Sequence, residues 1–392
     1  MVTPARIFML AGEPSGDVLG SRLMRALREQ SGDRLRFFGV GGPRMAEQGL
    51  TSLFPMDELS LMGFTEVLPH LPHLLGRMRQ SVGEIKRQRP DAVVTIDSPG
   101  FALRLQRRLA RLPLTRVHYV APQIWAWREQ RAARLARDLD HLLALLPFEP
   151  PFFERFGVPC SFVGHPIIEE VARPGDGARF RARYDIPTNA PLLCLLPGSR
   201  ELEVKRHLPV LERAVMLLWR RFPRLRVILP TLGGLAPVVH DLMRPWKVPV
   251  VILEERSERF DGYAASWLAI AASGTVSLEV ALAGLPLITI YRTGPLTAWL
   301  VRRLIRVPHV NLVNLILDRP VVPELLQEDC DPERIAAAAA RLIEDDRLRQ
   351  DQVAALAEAV ARLGGADQRP PSQRAAERVL ELLDLDRARR TA

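Results

Sequence analysis

The sequence predicts an α/β fold of two doubly wound domains, each a mainly parallel sheet covered by helices. Three observations predict it. Short apolar runs alternate with longer amphipathic stretches, the pattern of successive strand–helix units. A Pro- and Gly-rich break at 171–179 (VARPGDGAR) is followed by a restart of the same pattern. The length, 392 residues, suits about two domains of ordinary size.

The elements follow in order. Residues 7–10 (IFML) read as the first strand, and a helix begins at about Gly16 with Leu19, Leu23, Ala26 and Leu27 on one face. Further strands fall at 36–40, 92–96, 115–120, 141–146 and 161–163. Beyond the break, 192–196 is a strand and 204–222 a long helix. Strands follow at 226–229, 250–253, 267–271 and 287–291. The Ala-rich 335–340 reads as helix, 364–372 (GGADQRPPS) as a second break, and 373–386 as a terminal helix. The expected domains are 1–172 and 173–366, with 367–392 packing back on the first. Two such domains facing each other would place a cleft at the C-terminal ends of both sheets, where open α/β sheets bind ligands.

Charge and cysteine usage narrow the class. The balance is 54 − 45 = +9, and arginine supplies nearly all of it, because Lys86, Lys205 and Lys247 are the only lysines. Such a surface attracts nucleic acid, phosphorylated substrates or lipid headgroups. No lysine-rich tail or aromatic–basic run supports nucleic acid. Cys160, Cys194 and Cys330 are far apart and odd in number, which fits a reducing compartment and no metal site. No signal pattern and no 18-residue uncharged apolar run is present, so a cytoplasmic protein is expected.

Common nucleotide motifs fail. Gly39-Val40-Gly41-Gly42-Pro43-Arg44 begins like a dinucleotide fingerprint, but its last position is Arg44, and no P-loop occurs. The Asp138-Leu139-Asp140 and Asp384-Leu385-Asp386 triplets read as solvated faces, so no metal is expected. Four strand ends keep two readings each. Ser15, Gly16 and Asp17 form either plain helix capping or an open phosphate site. Gly198-Ser199-Arg200 is either a turn or a phosphate cradle with a forked guanidinium. Ser273, Gly274 and Thr275 start a helix in which Glu279 either complements the dipole or accepts two ribose hydroxyls. Asp97, in TIDSPGF, is either a loop cap or a base at the end of an apolar strand.

AGEPSGDVLG, GVGGPRM, LFPMDELSLMGFTEVLP, YVAPQIWAWR, LLPFEPPFFERFGVPCSFVGHP, LLPGSR, ASGTVSLE and RPVVPELLQ occur in one order between about Ile7 and Gln327. Together they resemble the lipid-A-disaccharide synthase family. The resemblance implies a GT-B glycosyltransferase of two facing Rossmann-like domains with a C-terminal crossover helix. It implies inverting transfer from UDP-2,3-diacylglucosamine to 2,3-diacylglucosamine 1-phosphate (lipid X), without metal or cofactor. The products are a β-1,6 tetraacyl disaccharide 1-phosphate and UDP.

The same resemblance places the family's catalytic aspartate on Asp97. Its donor site falls on Gly198, Ser199, Arg200, Ser273, Gly274, Thr275, Glu279 and Asn314. Ser15, Gly16, Asp17, Met62, Glu66, Trp127 and His165 are its acceptor-side candidates. Two departures stand out. The family's D-A-P-D-F is D-S-P-G-F here, leaving Gly100 for the second acid, and its S-L-P-N-L is N-L-V-N-L at 311–315. The implied setting is the inner face of the inner membrane, with an anionic lipid surface as partner, no nucleic acid, and room for a homodimer. Apolar stretches with basic edges at 59–75 and 295–306 suit that surface or a packed core equally. The rival is another GT-B UDP-N-acetylglucosamine transferase or epimerase.

Overall fold

Strands buried on both faces need apolar side chains in unbroken runs, and such runs nucleate both sheets here. The computed structural model describes residues 4–59, 64–126, 129–170, 175–304, 307–365 and 369–391. It divides into two units, Met1–Glu169 with Asp367–Ala392, and Glu170–Ala366.

In the first unit, β1 (Ala5–Ala11), β2 (Leu35–Val40), β3 (Ala92–Ile96), β4 (Thr115–Tyr119), β5 (His141–Ala144) and β6 (Cys160–Phe162) form a sheet of order β2-β1-β3-β4-β5-β6. All its pairings are parallel. This is the flavodoxin-like order carried on by one strand, and it reverses between β1 and β3. Phe8, Leu10 and Val93 pack on one face with Phe101, Leu105 and Ile85. On the other, Ile7, Met9 and Val94 pack with Leu23, Leu27 and the C-terminal helix Pro371–Thr391, through Ala375, Ala376 and Val379.

In the second unit, β7 (Leu192–Leu196), β8 (Arg226–Pro230), β9 (Val250–Leu253), β10 (Leu268–Ala272), β11 (Leu287–Tyr291) and β12 (Glu324–Leu326) take the order β12-β11-β10-β7-β8-β9. This is the dinucleotide-fold order, reversing between β7 and β10. Its pairings are parallel too.

The structure departs from the sequence-based expectation in several places, including β4 and β5, which end at Tyr119 and Ala144, earlier than expected. The sequence reading misses β12, whose three residues carry too little periodicity to stand out. It misses the Asp346–Val360 helix, whose buried residues are spread thinly. It also runs the first break too far. The Gly177–Arg183 helix already begins within it, capped by Asp176 accepting from Arg179 N at 2.9 Å, and 171–174 lie outside the described residues.

Candidate functional site

The reversal point of the first sheet is built on Asp97. β3 ends at Ile96, and the chain turns through Asp97 at φ +52° and Ser98 at φ +46° before the Pro99–Leu109 helix. Asp97 N stays tied to the sheet by donating to Tyr119 O at 3.0 Å. One carboxylate oxygen accepts from Ser98 N at 2.8 Å, and the other from Ser15 Oγ at 3.3 Å. Ser15 comes from the first turn of the Pro14–Ser31 helix that follows β1. Beneath the turn lies a buried polar set. Gln106 Nε2 donates to Thr95 Oγ1 at 2.9 Å and to Val117 O at 2.9 Å, and Thr95 Oγ1 is 2.8 Å from His118 Nδ1. Burial pushes His118 down to about 4, so its ring is neutral.

Asp17 serves elsewhere. It is 2% exposed and accepts from Gly42 N at 2.8 Å, Arg44 N at 2.9 Å and Met45 N at 3.0 Å. Both oxygens therefore cap the Pro43–Glu47 helix, taking three backbone donors in a buried site. Gly16 lies with Ser15 in the first turn of its helix, where a Cβ would come within 3.3 Å of Ile96 O. His165 is also inward. Its Nδ1 accepts from Ile167 N at 3.2 Å, and burial pushes it down to about 4. Met62 and Trp127 lie outside the described residues, as does the Glu66 side chain.

One acid of this unit escaped the sequence reading. Glu149 is buried, accepting from Trp125 Nε1 at 3.1 Å, Leu145 N at 3.1 Å and Leu146 N at 2.9 Å. Desolvation outweighs those bonds and pushes it up to about 7. It fastens the Gln123–Ala126 turn, through Trp125, to the end of β5. The only sequence signal was an acid standing among prolines and phenylalanines.

The reversal point of the second sheet gathers glycine and arginine. After β7, Gly198 turns at φ +133°, and a Cβ there would sit 2.6 Å from Glu203 Cβ. Ser199 N donates to Glu203 Oε2 at 3.0 Å. Arg200 precedes the Glu201–Arg221 helix with its side chain 66% exposed, 3.4 Å from Glu203. Inside that helix, fully buried His207 donates from Nδ1 to Pro197 O at 2.6 Å and accepts at Nε2 from Arg292 N at 2.9 Å. Arg206 Nη1 donates to Thr293 Oγ1 at 3.3 Å.

After β10, Ser273 Oγ donates to Val310 O at 3.4 Å, and Gly274 turns at φ +156°. Thr275 precedes the short Val276–Leu282 helix without a side-chain cap. Glu279 is held 2.9 Å from Arg259. Burial pushes its carboxyl up, and the guanidinium opposes that.

Asn314 faces inward. It is fully buried and its amide is saturated. Nδ2 donates to Val322 O and Glu324 Oε1, both at 2.8 Å, while Oδ1 accepts from Val321 N at 2.9 Å and Val322 N at 2.8 Å. These bonds clamp the loop before β12. Asn311 caps the short Leu312–Leu317 helix, accepting from Val313 N at 2.7 Å, so Asn does here what Ser can do in the resembled pattern.

A family model described as lipid-A-disaccharide synthetase matches residues 7–378. A lipid-A-disaccharide synthase of Rhodospirillum centenum is 52% identical over 384 residues, covering 97% of this chain and 95% of its own. That of Paramagnetospirillum magneticum is 46% identical over 381 residues, covering 96% and 97%. Among solved structures, the calicheamicin glycosyltransferase CalG4 superposes with a TM-score of 0.62 at 18% identity, over 98% of this chain and 99% of its own. At that identity the likeness speaks for the fold, a GT-B arrangement of two α/β units with parallel sheets.

Proposed function

Because the chain belongs to the lipid-A-disaccharide synthase family, glycosyltransferases that build the lipid A disaccharide, we propose that Asp97 and Arg200 carry the chemistry of its two units. The donor is UDP-2,3-diacylglucosamine and the acceptor 2,3-diacylglucosamine 1-phosphate. The first unit takes the acceptor and the second the donor. The acceptor's 6-hydroxyl oxygen attacks the anomeric carbon from the face opposite UDP. Its proton passes to the Asp97 carboxylate, the new C–O bond forms, and the bond to the β-phosphate breaks with its electron pair leaving on UDP. The product is the inverted, β-linked disaccharide.

The observation that carries this reading is the presentation of Asp97. Its carboxylate stands at the reversal point of a parallel sheet, half-exposed, with one oxygen held only by the long Ser15 bond. For the leaving group, Arg200 supplies an exposed guanidinium beside the Gly198 turn, suited to charge growing on a phosphate. Ser199 N already donates to Glu203, so the mostly exposed Arg200 side chain, in a long 3.4 Å pair with Glu203, is the better anion donor of this turn. Glu279, fixed by Arg259, is the acceptor for ribose hydroxyls. Ser273, Gly274 and Thr275 line the same strand end.

Acylated substrates need an apolar surface near lipid. Among the described residues no helix is long and apolar enough to cross a membrane. Trp299, 52% exposed on the Pro295–Leu304 helix, with Arg303 4.1 Å above its ring, suits the interface of an anionic bilayer, and so does exposed Leu75. The test is direct. Purified protein incubated with both substrates and a chelator should release UDP and tetraacyl disaccharide. Absence of disaccharide from a folded preparation overturns the reading.

A further inference from the structure

We propose that His207 is a positioning residue, a neutral ring that sets the Gly198–Arg200 turn against the loop after β11. The inference rests on the donor-site reading above. A ring nitrogen that accepts from an amide N–H must carry a lone pair. Nε2 accepts from Arg292 N at 2.9 Å, so it is unprotonated, and the proton sits on Nδ1, which donates to Pro197 O at 2.6 Å. One tautomer alone satisfies both bonds.

The span matters. β7 and β11 are not neighbours, because β10 lies between them. Strands two apart are separated by about 10 Å, beyond any ladder hydrogen bond. The imidazole closes that gap from the helix side, one turn behind Glu203, which holds Ser199 N. Arg206 adds a second tie to Thr293, and Thr293 N in turn donates to Gln327 Oε1 at 3.2 Å. The turn that presents Arg200 is therefore fixed from the far strand as well as from its own helix. His207 is wholly buried, so it acts through Arg200 and not on substrate itself.

A double-mutant cycle on the full chain tests this, with donor and acceptor kinetics, UDP calorimetry and Tm for each variant. His207→Ala should lower donor kcat/KM by about 10–100-fold, the usual cost of a misplaced group, with acceptor KM unchanged. In an Arg200→Ala background the same change should cost less than about threefold, because the group it positions is gone. His207→Asn keeps a donor toward Pro197 O and His207→Gln an acceptor toward Arg292 N, so each should recover part of the loss. Fully additive losses, or wild-type kinetics in His207→Ala, overturn the inference. So do equal losses in Ala, Asn and Gln that track Tm. Arg200→Ala with wild-type UDP affinity overturns the donor-site reading, and the inference with it. An impaired Arg200→Ala beside a silent His207→Ala overturns the inference alone.

Discussion

At the edge of the first sheet the chain turns through Asp97 at φ +52°, Ser98 at φ +46° and, one strand over, Val120 at φ +80°. At the edge of the second it turns through Gly198 at φ +133° and Gly274 at φ +156°. The backbone problem is similar, a sharp exit from a parallel strand. Glycine meets it without steric cost, whereas an L-residue in the left-handed region loses roughly 1–2 kcal/mol. Strain of this kind clusters at functional sites, although Val120 shows that it also occurs without a chemical group. On the reading proposed above, the first unit carries its reacting group on the turn itself. The second keeps its turns to glycine, with its charged groups further along, Arg200 two residues after Gly198 and Glu279 five after Gly274.

Four experiments break or sharpen that contrast. The largest effect belongs to Asp97→Asn, which should cut kcat by about 10²–10⁴-fold with unchanged Tm. Turnover within tenfold of wild type would leave the strained aspartate without a catalytic reason.

Acid comes next. His118, His141 and His165, all in the first unit, are pushed down to about 4 by burial. Their unfolded value is near 6.5, so their stability contribution is complete above about 6.5 and is lost as pH falls toward 4. Glu149 runs the other way. Raised to about 7, it favours the fold at low pH and loses that contribution as pH rises from about 4.5 to 7. Three strongly lowered histidines outweigh the two raised acids, Glu149 and Asp138, so the first unit should lose stability between about pH 6.5 and 4. In that range the second unit sets one lowered histidine, His207, against raised Glu279, while its lowered carboxyls Asp261 and Asp331 act only at lower pH. Hydrogen exchange followed by mass spectrometry should show first-unit peptides opening first on acidification. Simultaneous opening would erase the difference.

Gly198→Ala should cost about 1–3 kcal/mol in urea unfolding and lower donor turnover, since the added methyl meets Glu203 and φ is unfavourable. The smallest effect is Gly100→Asp. A side chain there meets nothing within 4 Å, in the first turn of the Pro99–Leu109 helix. A stability gain of about 0.5–1 kcal/mol is expected from dipole and entropy terms. Turnover should stay within about threefold if Asp97 acts alone, and a larger rise would restore a role for the second acid.

Much of this was legible in the chain. Runs such as LLCLL, and AVVTI with its one hydrogen-bonded Thr95, become strands because residues buried on both faces are apolar almost throughout. The glycines and polar residues that follow them mark the strand ends. What was not legible was which polar groups face inward. Asp17 and Asn314 sit in motifs that look ligand-directed, yet Asp17 takes three backbone donors and Asn314 fills its amide with backbone groups and Glu324, partners brought near by folding. Glu149 and His207 were passed over because Trp125 and Arg292 reach them only once the sheets have formed.

The sequence by itself determined the two parallel sheets, the strand ends that carry polar residues, and the presence of Asp97, Arg200 and Glu279 there. Local periodicity and turn chemistry act between residues close in the chain, so one dimension is enough to read them. Only the tertiary structure decided that Asp17 caps a helix, that Asn314 clamps a loop, that Arg259 holds Glu279, and that one imidazole ties β7 to β11. Those outcomes depend on hydrogen-bond partners and desolvation supplied by segments distant in sequence, and neither exists until the chain has packed.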